Sequence, residues 1–131
     1  ARAMGLPFAP PAAGFPFASH VGARAIYWAA EQGEGSDARL ALALFQAVYQ
    51  RSQSIADAAS VGRVADAAGL DGAALVDAVV TPAVKDRLRA ANDQALAAGV
   101  CGAPFFIVDG EPFWGCDRLD QVERWLATGG W

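Results

Sequence analysis

From Ala103 to Trp114 an Ala-Pro step, four apolar residues, an Asp-Gly pair and four more strand-compatible residues follow one another without a spacer, so this part of the chain is committed to a hairpin entered at a proline. A Gly-Ala-Pro directly before an apolar strand suits a cis peptide bond, which the tertiary amide of proline permits at modest cost. Phe105 to Val108 favour extended backbone, and Asp109-Gly110 is a two-residue hairpin signal that returns the chain through Glu111 to Trp114. Pro112 cannot donate to a ladder, which places the return strand at an edge. Asp117 then stands as a candidate N-cap for a helix carrying Leu119, Val122 and Leu126 on one face. The run therefore reads as a binding site as well as core.

The preceding residues read as helices. Pro7, Pro10, Pro11 and Pro16 make residues 1–18 an extended connector. Ser19 can cap a helix to about Gln32 with Val21, Ala25, Trp28 and Ala29 on one face, stopped by Gly33-Glu34-Gly35. A second helix starts after Ser36 or Asp37, presents Ala41, Leu44, Phe45 and Val48, and ends near Arg51. Residues 55–59 read as a turn. Ser60 caps a short helix to Ala68 that Gly69 closes, and Asp71 opens another through Val79. Thr81-Pro82 begins a longer helix with Val84, Leu88, Ala91 and Ala95 inward and Lys85, Asp86, Arg89 and Asp93 outward, ending at Gly99.

The order is thus five helices, a hairpin and a terminal helix. A two-stranded apolar hairpin is marginal alone, and no neighbour for its first strand is evident in residues 1–98. The expectation is a further segment upstream. Apolar residues form 54% of the chain, which excludes a disordered chain; the net charge of −4, without any Lys/Arg cluster, argues against a nucleic-acid partner. No apolar run approaches the roughly 20 residues that span a bilayer, so no membrane partner is expected and the protein reads as soluble and cytoplasmic. Cys101 and Cys116 lack CxxC spacing, so they read as inert structural thiols, and no metal-ligand spacing occurs. His20 reads as a helix-start residue, Glu31, Glu34, Asp37 and Arg39 as a solvated surface, and Trp114 and Trp125 as core aromatics.

The segment GVCGAPFFIVDGEPFWGCDRLDQVERWL, together with NDQALAAG before it and GLPFAPPAAGFPFAS near the start, resembles the C-terminal two-thirds of the 2-hydroxychromene-2-carboxylate isomerases. These are relatives of kappa-class glutathione transferases within the DsbA-like thioredoxin superfamily. The resemblance implies an α/β fold: a mostly helical DsbA-like insertion domain (residues 19–98) after the connector, followed by the ββα unit of a thioredoxin fold (residues 99–131). The βαβ unit and the active-site serine of the family are expected before Ala1. It implies glutathione as cofactor, with Ala103 and Pro104 holding the cysteinyl part through backbone geometry and Cys116 and Asp117 taking the γ-glutamyl end. A helix start offers free N–H groups to a carboxylate, and an Asp can pair with the ammonium. This sequence departs from the pattern at Cys116, where a small polar residue is commoner, at Cys101, often aromatic or aliphatic, and at Ala18, often Asn.

The function this resemblance implies is that of a glutathione-dependent isomerase of an aromatic ring-cleavage product, expected as a homodimer, of which this chain holds no catalytic residue. Two other classes stay open. A thiol-disulfide oxidoreductase or a kappa-class transferase would share the superfamily, the former needing a CxxC at its first helix. A non-catalytic helical binding or assembly module would complete its sheet with a partner strand.

Overall fold

The computed structural model describes residues 5–11, 14 and 16–131. Helices α1 (His20–Ala29), α2 (Ser36–Arg51), α3 (Ala58–Ala67), α4 (Gly72–Ala78) and α5 (Pro82–Ala97) come first. Strands β1 (Phe105–Val108) and β2 (Glu111–Trp114), a 3₁₀ turn (Cys116–Arg118) and α6 (Leu119–Thr128) follow, the order read from the sequence. The chain divides into two compact units, Ala1–Ala90 and Ala91–Trp131. Part of the expected connector lies outside the described residues. Its described portion is tied down at two points, by the Ala9 N–H donating to the Tyr49 carbonyl at 2.7 Å and the Ser52 hydroxyl donating to the Pro10 carbonyl at 2.7 Å.

Short acidic side chains start the middle helices. The Asp71 carboxylate accepts from the Ala74 N–H at 2.9 Å and caps α4, as its place in the sequence indicated. At α3 the cap is Asp57, not Ser60: its Oδ1 accepts from the Ser60 N–H at 2.8 Å and its Oδ2 from the Ser60 hydroxyl at 2.9 Å. Ser60 lies inside the first turn because the cap and the helix start fall three residues earlier than the sequence suggested, and its hydroxyl satisfies the cap instead of being one. Ser19 precedes α1 with helical backbone angles and makes no capping bond. An N-cap side chain needs extended backbone to reach back to the third N–H, and Ser19 lacks it.

Those bonds to Ser60 hold the exposed Asp57 carboxyl below its ordinary value of 3.8, with the nearby Arg63 guanidinium adding to the effect. A depressed folded value contributes stability that is complete above the ordinary value and is lost as pH falls through the lower, folded one. The expected result is that Asp57→Ala lowers the melting temperature at neutral pH and that the gap between variant and parent closes well below pH 3.8. Thermal melts at both pH values check this; a gap independent of pH would show that the cap contributes nothing through its charge.

The core of the first unit gathers Ala25, Trp28 and Ala29 of α1, Leu40, Leu44, Ala47 and Val48 of α2, Val61, Val64 and Ala65 of α3, and Leu75 of α4. On α1 the expected face holds, with Gly22 buried where Val21 was placed and Val21 half-buried. The buried stripe of α2 is rotated from the expected one: Leu40 and Ala47 are buried, Ala41 is half-buried, and Phe45 is 61% exposed with its ring stacked 6.1 Å from Tyr49. The Leu/Ala-rich helix offers more than one stripe of period 3.6, and packing against α1 and α3 selects among them. On α5 only Val84 is buried, while Leu88, Ala91 and Ala95 are half-buried. Helices α3 and α4 meet where Gly62 faces Gly72, and Asp66 accepts from the Gly72 N–H at 2.8 Å.

Candidate functional site

The second unit is organised by the Asp109-Gly110 turn. Both residues have positive φ, 52° and 86°, the pairing of a type I′ turn whose twist matches the strands it joins. That turn fixes the antiparallel register as Phe105 opposite Trp114, Phe106 opposite Phe113, Ile107 opposite Pro112 and Val108 opposite Glu111. Among the described residues the sheet has these two strands, so the other edge of β1 carries no neighbour.

Opposite residues share a face, and the two faces differ. On one, Phe113 is 3% exposed and meets the Trp125 ring of α6 edge-on at 5.8 Å. Trp131 stands 5.4 Å from Trp125, and the Trp125 indole N–H donates to the Asp109 carboxylate at 3.2 Å, tying α6 to the turn. Val122 is the one buried residue of α6, with Leu119 and Leu126 exposed, so the face expected from the sequence is only partly used. On the other face Trp114 is 59% exposed, where the sequence placed it in the core.

The same register brings the expected binding residues together. One step beyond the Phe105 and Trp114 pair, the Gly115 N–H donates to the Pro104 carbonyl at 3.0 Å, so the strand-like pairing continues into the loop on one side and the helix start on the other. The Ala103–Pro104 peptide bond is cis. Ala103, Pro104, Cys116 and Asp117 are all exposed. Among the described residues, nothing accepts from the Ala103, Cys116 or Asp117 N–H or donates to the Ala103 carbonyl. The hairpin thus carries two sets of free backbone groups to one end of itself.

Two glycines make this approach possible, and neither was singled out as a site residue. A Cβ on Gly102 would run into the Trp114 indole, 2.8 Å from its Cε2. Gly115 has φ 111°, where a side chain is strained, and its Cβ would clash with the Asp117 carboxylate oxygen that bends back over it. The sequence signal for both is a glycine immediately flanking the Ala-Pro step or the final helix.

Asp117 is not the N-cap of α6. The chain enters that helix through a 3₁₀ turn, so the capping position falls at Arg118, whose side chain makes no cap bond. Asp117 instead pairs with Arg118 at 3.6 Å, an exposed contact of little energetic weight. Cys101 and Cys116 are free thiols, and both are exposed where burial was expected, because the loop and the 3₁₀ turn that carry them lie on the surface. His20 is exposed at the first position of α1, as read from the sequence.

A ββα order of this kind also closes the thioredoxin-type fold. The chain belongs to the DsbA-like thioredoxin domain family, whose model matches residues 1–127. Among curated proteins it is similar to the 2-hydroxychromene-2-carboxylate isomerase of Sphingobium xenophagum, with 47% identity over 62 residues, which is 47% of this chain and 32% of that protein. Among solved structures it superposes on a 2-hydroxychromene-2-carboxylate isomerase with a TM-score of 0.83 at 22% identity, covering 96% of this chain and 60% of that one. The fold is therefore shared with that enzyme, and the resemblance to the isomerase family read from the sequence stands. The chain spans less than two-thirds of the relatives it matches. No helix among the described residues is long and apolar enough to cross a membrane.

Proposed function

We propose that this chain carries the glutathione-holding part of an isomerase that acts on an aromatic ring-cleavage product of the 2-hydroxychromene-2-carboxylate type. The observation that carries the reading is the Pro104 carbonyl to Gly115 N–H bond, which sets the free backbone groups of Ala103 beside those of Cys116 and Asp117. An extended tripeptide needs a strand-like partner for its middle residue and an anion-accepting end for its carboxylate. The N–H and C=O of Ala103 fit the first need, and the Cys116 and Asp117 N–H groups fit the second. The Asp117 carboxylate, engaged among the described residues only by the weak Arg118 contact, fits the ammonium of a γ-glutamyl group. With glycine at 102 and 115, no side chain of those residues fills the space between the two sets. When bound, glutathione supplies a thiol that adds to the substrate, permits rotation about a bond and then leaves.

On this reading the family's active-site serine is not among these residues, so the 131 residues alone are expected to turn over 2-hydroxychromene-2-carboxylate negligibly with glutathione present. The exposed, unbridged thiols fit a reducing, cytoplasmic setting, and assembly as a homodimer belongs to the same reading.

The test is a titration of reduced glutathione into the isotope-labelled chain. The expected result is saturable movement of the amide signals of Ala103, Cys116 and Asp117, and binding about tenfold weaker in Asp117→Ala, the loss of one charge-assisted contact. Signals that move only elsewhere, or an Asp117→Ala variant with unchanged affinity, would overturn the assignment.

A further inference from the structure

We propose that the cleft between α2 and α3 is a second binding site, for a small oxyanion (a carboxylate or a phosphate) held by Arg51 and Arg63. The cleft measures about 520 Å³, within the size range of small-molecule sites, and its charged lining residues are these two arginines although the chain as a whole carries a net charge of −4. Helical spacing brings them there. Ser60, Arg63, Val64 and Ala67 fall at i, i+3, i+4 and i+7 along α3 and so share one stripe. Arg51 closes α2, after which Ser52 turns the chain with φ 51° and the following loop brings Gln53 and Ser54 to the end of the cleft.

The partners of the two guanidinium groups leave positive charge to be met. Arg51 donates to the Gln53 side-chain oxygen at 3.3 Å and to the Ala43 carbonyl at 3.4 Å, both neutral, and no carboxylate pairs with it among the described residues. Arg63 donates to the Ser60 hydroxyl at 2.9 Å, and that hydroxyl, in a residue only 9% exposed, donates in turn to Asp57. Asp57 therefore offsets part of the charge at Arg63 and none that the structure pairs with Arg51. The remaining N–H donors of both planar guanidiniums match the lone-pair geometry of a carboxylate or phosphate. Val64 and Ala43 supply an apolar wall, which favours an anion with a short carbon body over a bare ion.

The experiment titrates sodium phthalate, inorganic phosphate and neutral benzamide separately into the isotope-labelled chain. The expected result is that both anions move the Ser54, Ser60 and Arg63 amide signals saturably, phthalate at the lower concentration, while benzamide does not. Arg51→Gln and Arg63→Gln each weaken binding about fivefold, Arg63→Lys less, and added salt weakens it further. Tighter binding of phosphate than of phthalate would support the site and assign it to phosphate. Absence of saturation in the parent, or an Arg51→Gln/Arg63→Gln double variant that melts like the parent and binds equally well, would overturn the proposal. Because the signals followed lie on α3 and the loop before it, a negative result here leaves the glutathione reading untouched, and the reverse.

Discussion

Gly72→Ala is expected to lower the stability of the helical unit by about 3 kcal/mol, although an alanine in a helix is ordinarily the better residue. The sign follows from what the added methyl meets. Its Cβ would collide with the Gly62 carbonyl oxygen and come within 2.7 Å of the Asp66 carboxyl carbon, and the first of these is backbone that cannot rotate away. Relieving the clash means moving α4 off α3 and breaking the 2.8 Å bond from the Gly72 N–H to Asp66. A densely packed interior transmits such a shift to its neighbours, here to Leu75 and Val61, both fully buried. Urea unfolding of the parent and the variant gives the difference directly; a midpoint equal to or above the parent's would show that the two helices can separate without cost.

The second large effect is expected at Leu40, which is 0% exposed in the centre of the bundle. Leu40→Ala removes buried methyl groups from a site walled by helices, so it loses transfer free energy and leaves a cavity, together about 2–5 kcal/mol. Leu42→Ala, two residues along the same helix at a position 60% exposed, is expected to change stability by less than about 0.5 kcal/mol. The pair tests the rotational setting of α2 with residue type held constant. Equal effects in denaturant unfolding would mean that the buried stripe has been misplaced.

That rotational setting marks the limit of what the sequence pattern determines. Residues 36–51 announce a helix clearly, but with Leu40, Leu42, Leu44, Phe45 and Val48 in one element the apolar pattern has no single maximum. The choice rests on the partners, α1 and α3, and the sequence does not contain their positions. Caps behaved in the same way. Asp71 stood alone before its helix and could be assigned, whereas at α3 the sequence pointed to Ser60 and the bonds from Ser60 to Asp57 put the cap at Asp57.

The hairpin was legible more fully than the packing around it. Ala103, Pro104, Cys116 and Asp117 stand in a short, dense motif, and the structure sets them at one end of a hairpin whose register matches the strand boundaries expected. What the motif did not show was the way they are held: the 3₁₀ turn that moves the cap to Arg118, the exposure of both thiols, and the role of Gly102 and Gly115 as the places where no side chain can be accommodated. The cleft beside Arg51 and Arg63 had no local signature, since its lining comes from two helices and a loop.

Local chemistry alone sets where the elements of this chain begin, bend and stop: Pro82 at a helix start, Asp-Gly at the hairpin, a left-handed glycine after α5 and α6. Each depends on backbone geometry within a few residues, so neighbours in the chain are enough. Which face of α2 is buried, how closely α3 and α4 approach, and which charges share a cleft depend on residues far apart in the chain. Those features came only with the fold, because excluded volume and charge act through space and several arrangements satisfy the same periodic pattern until packing removes all but one.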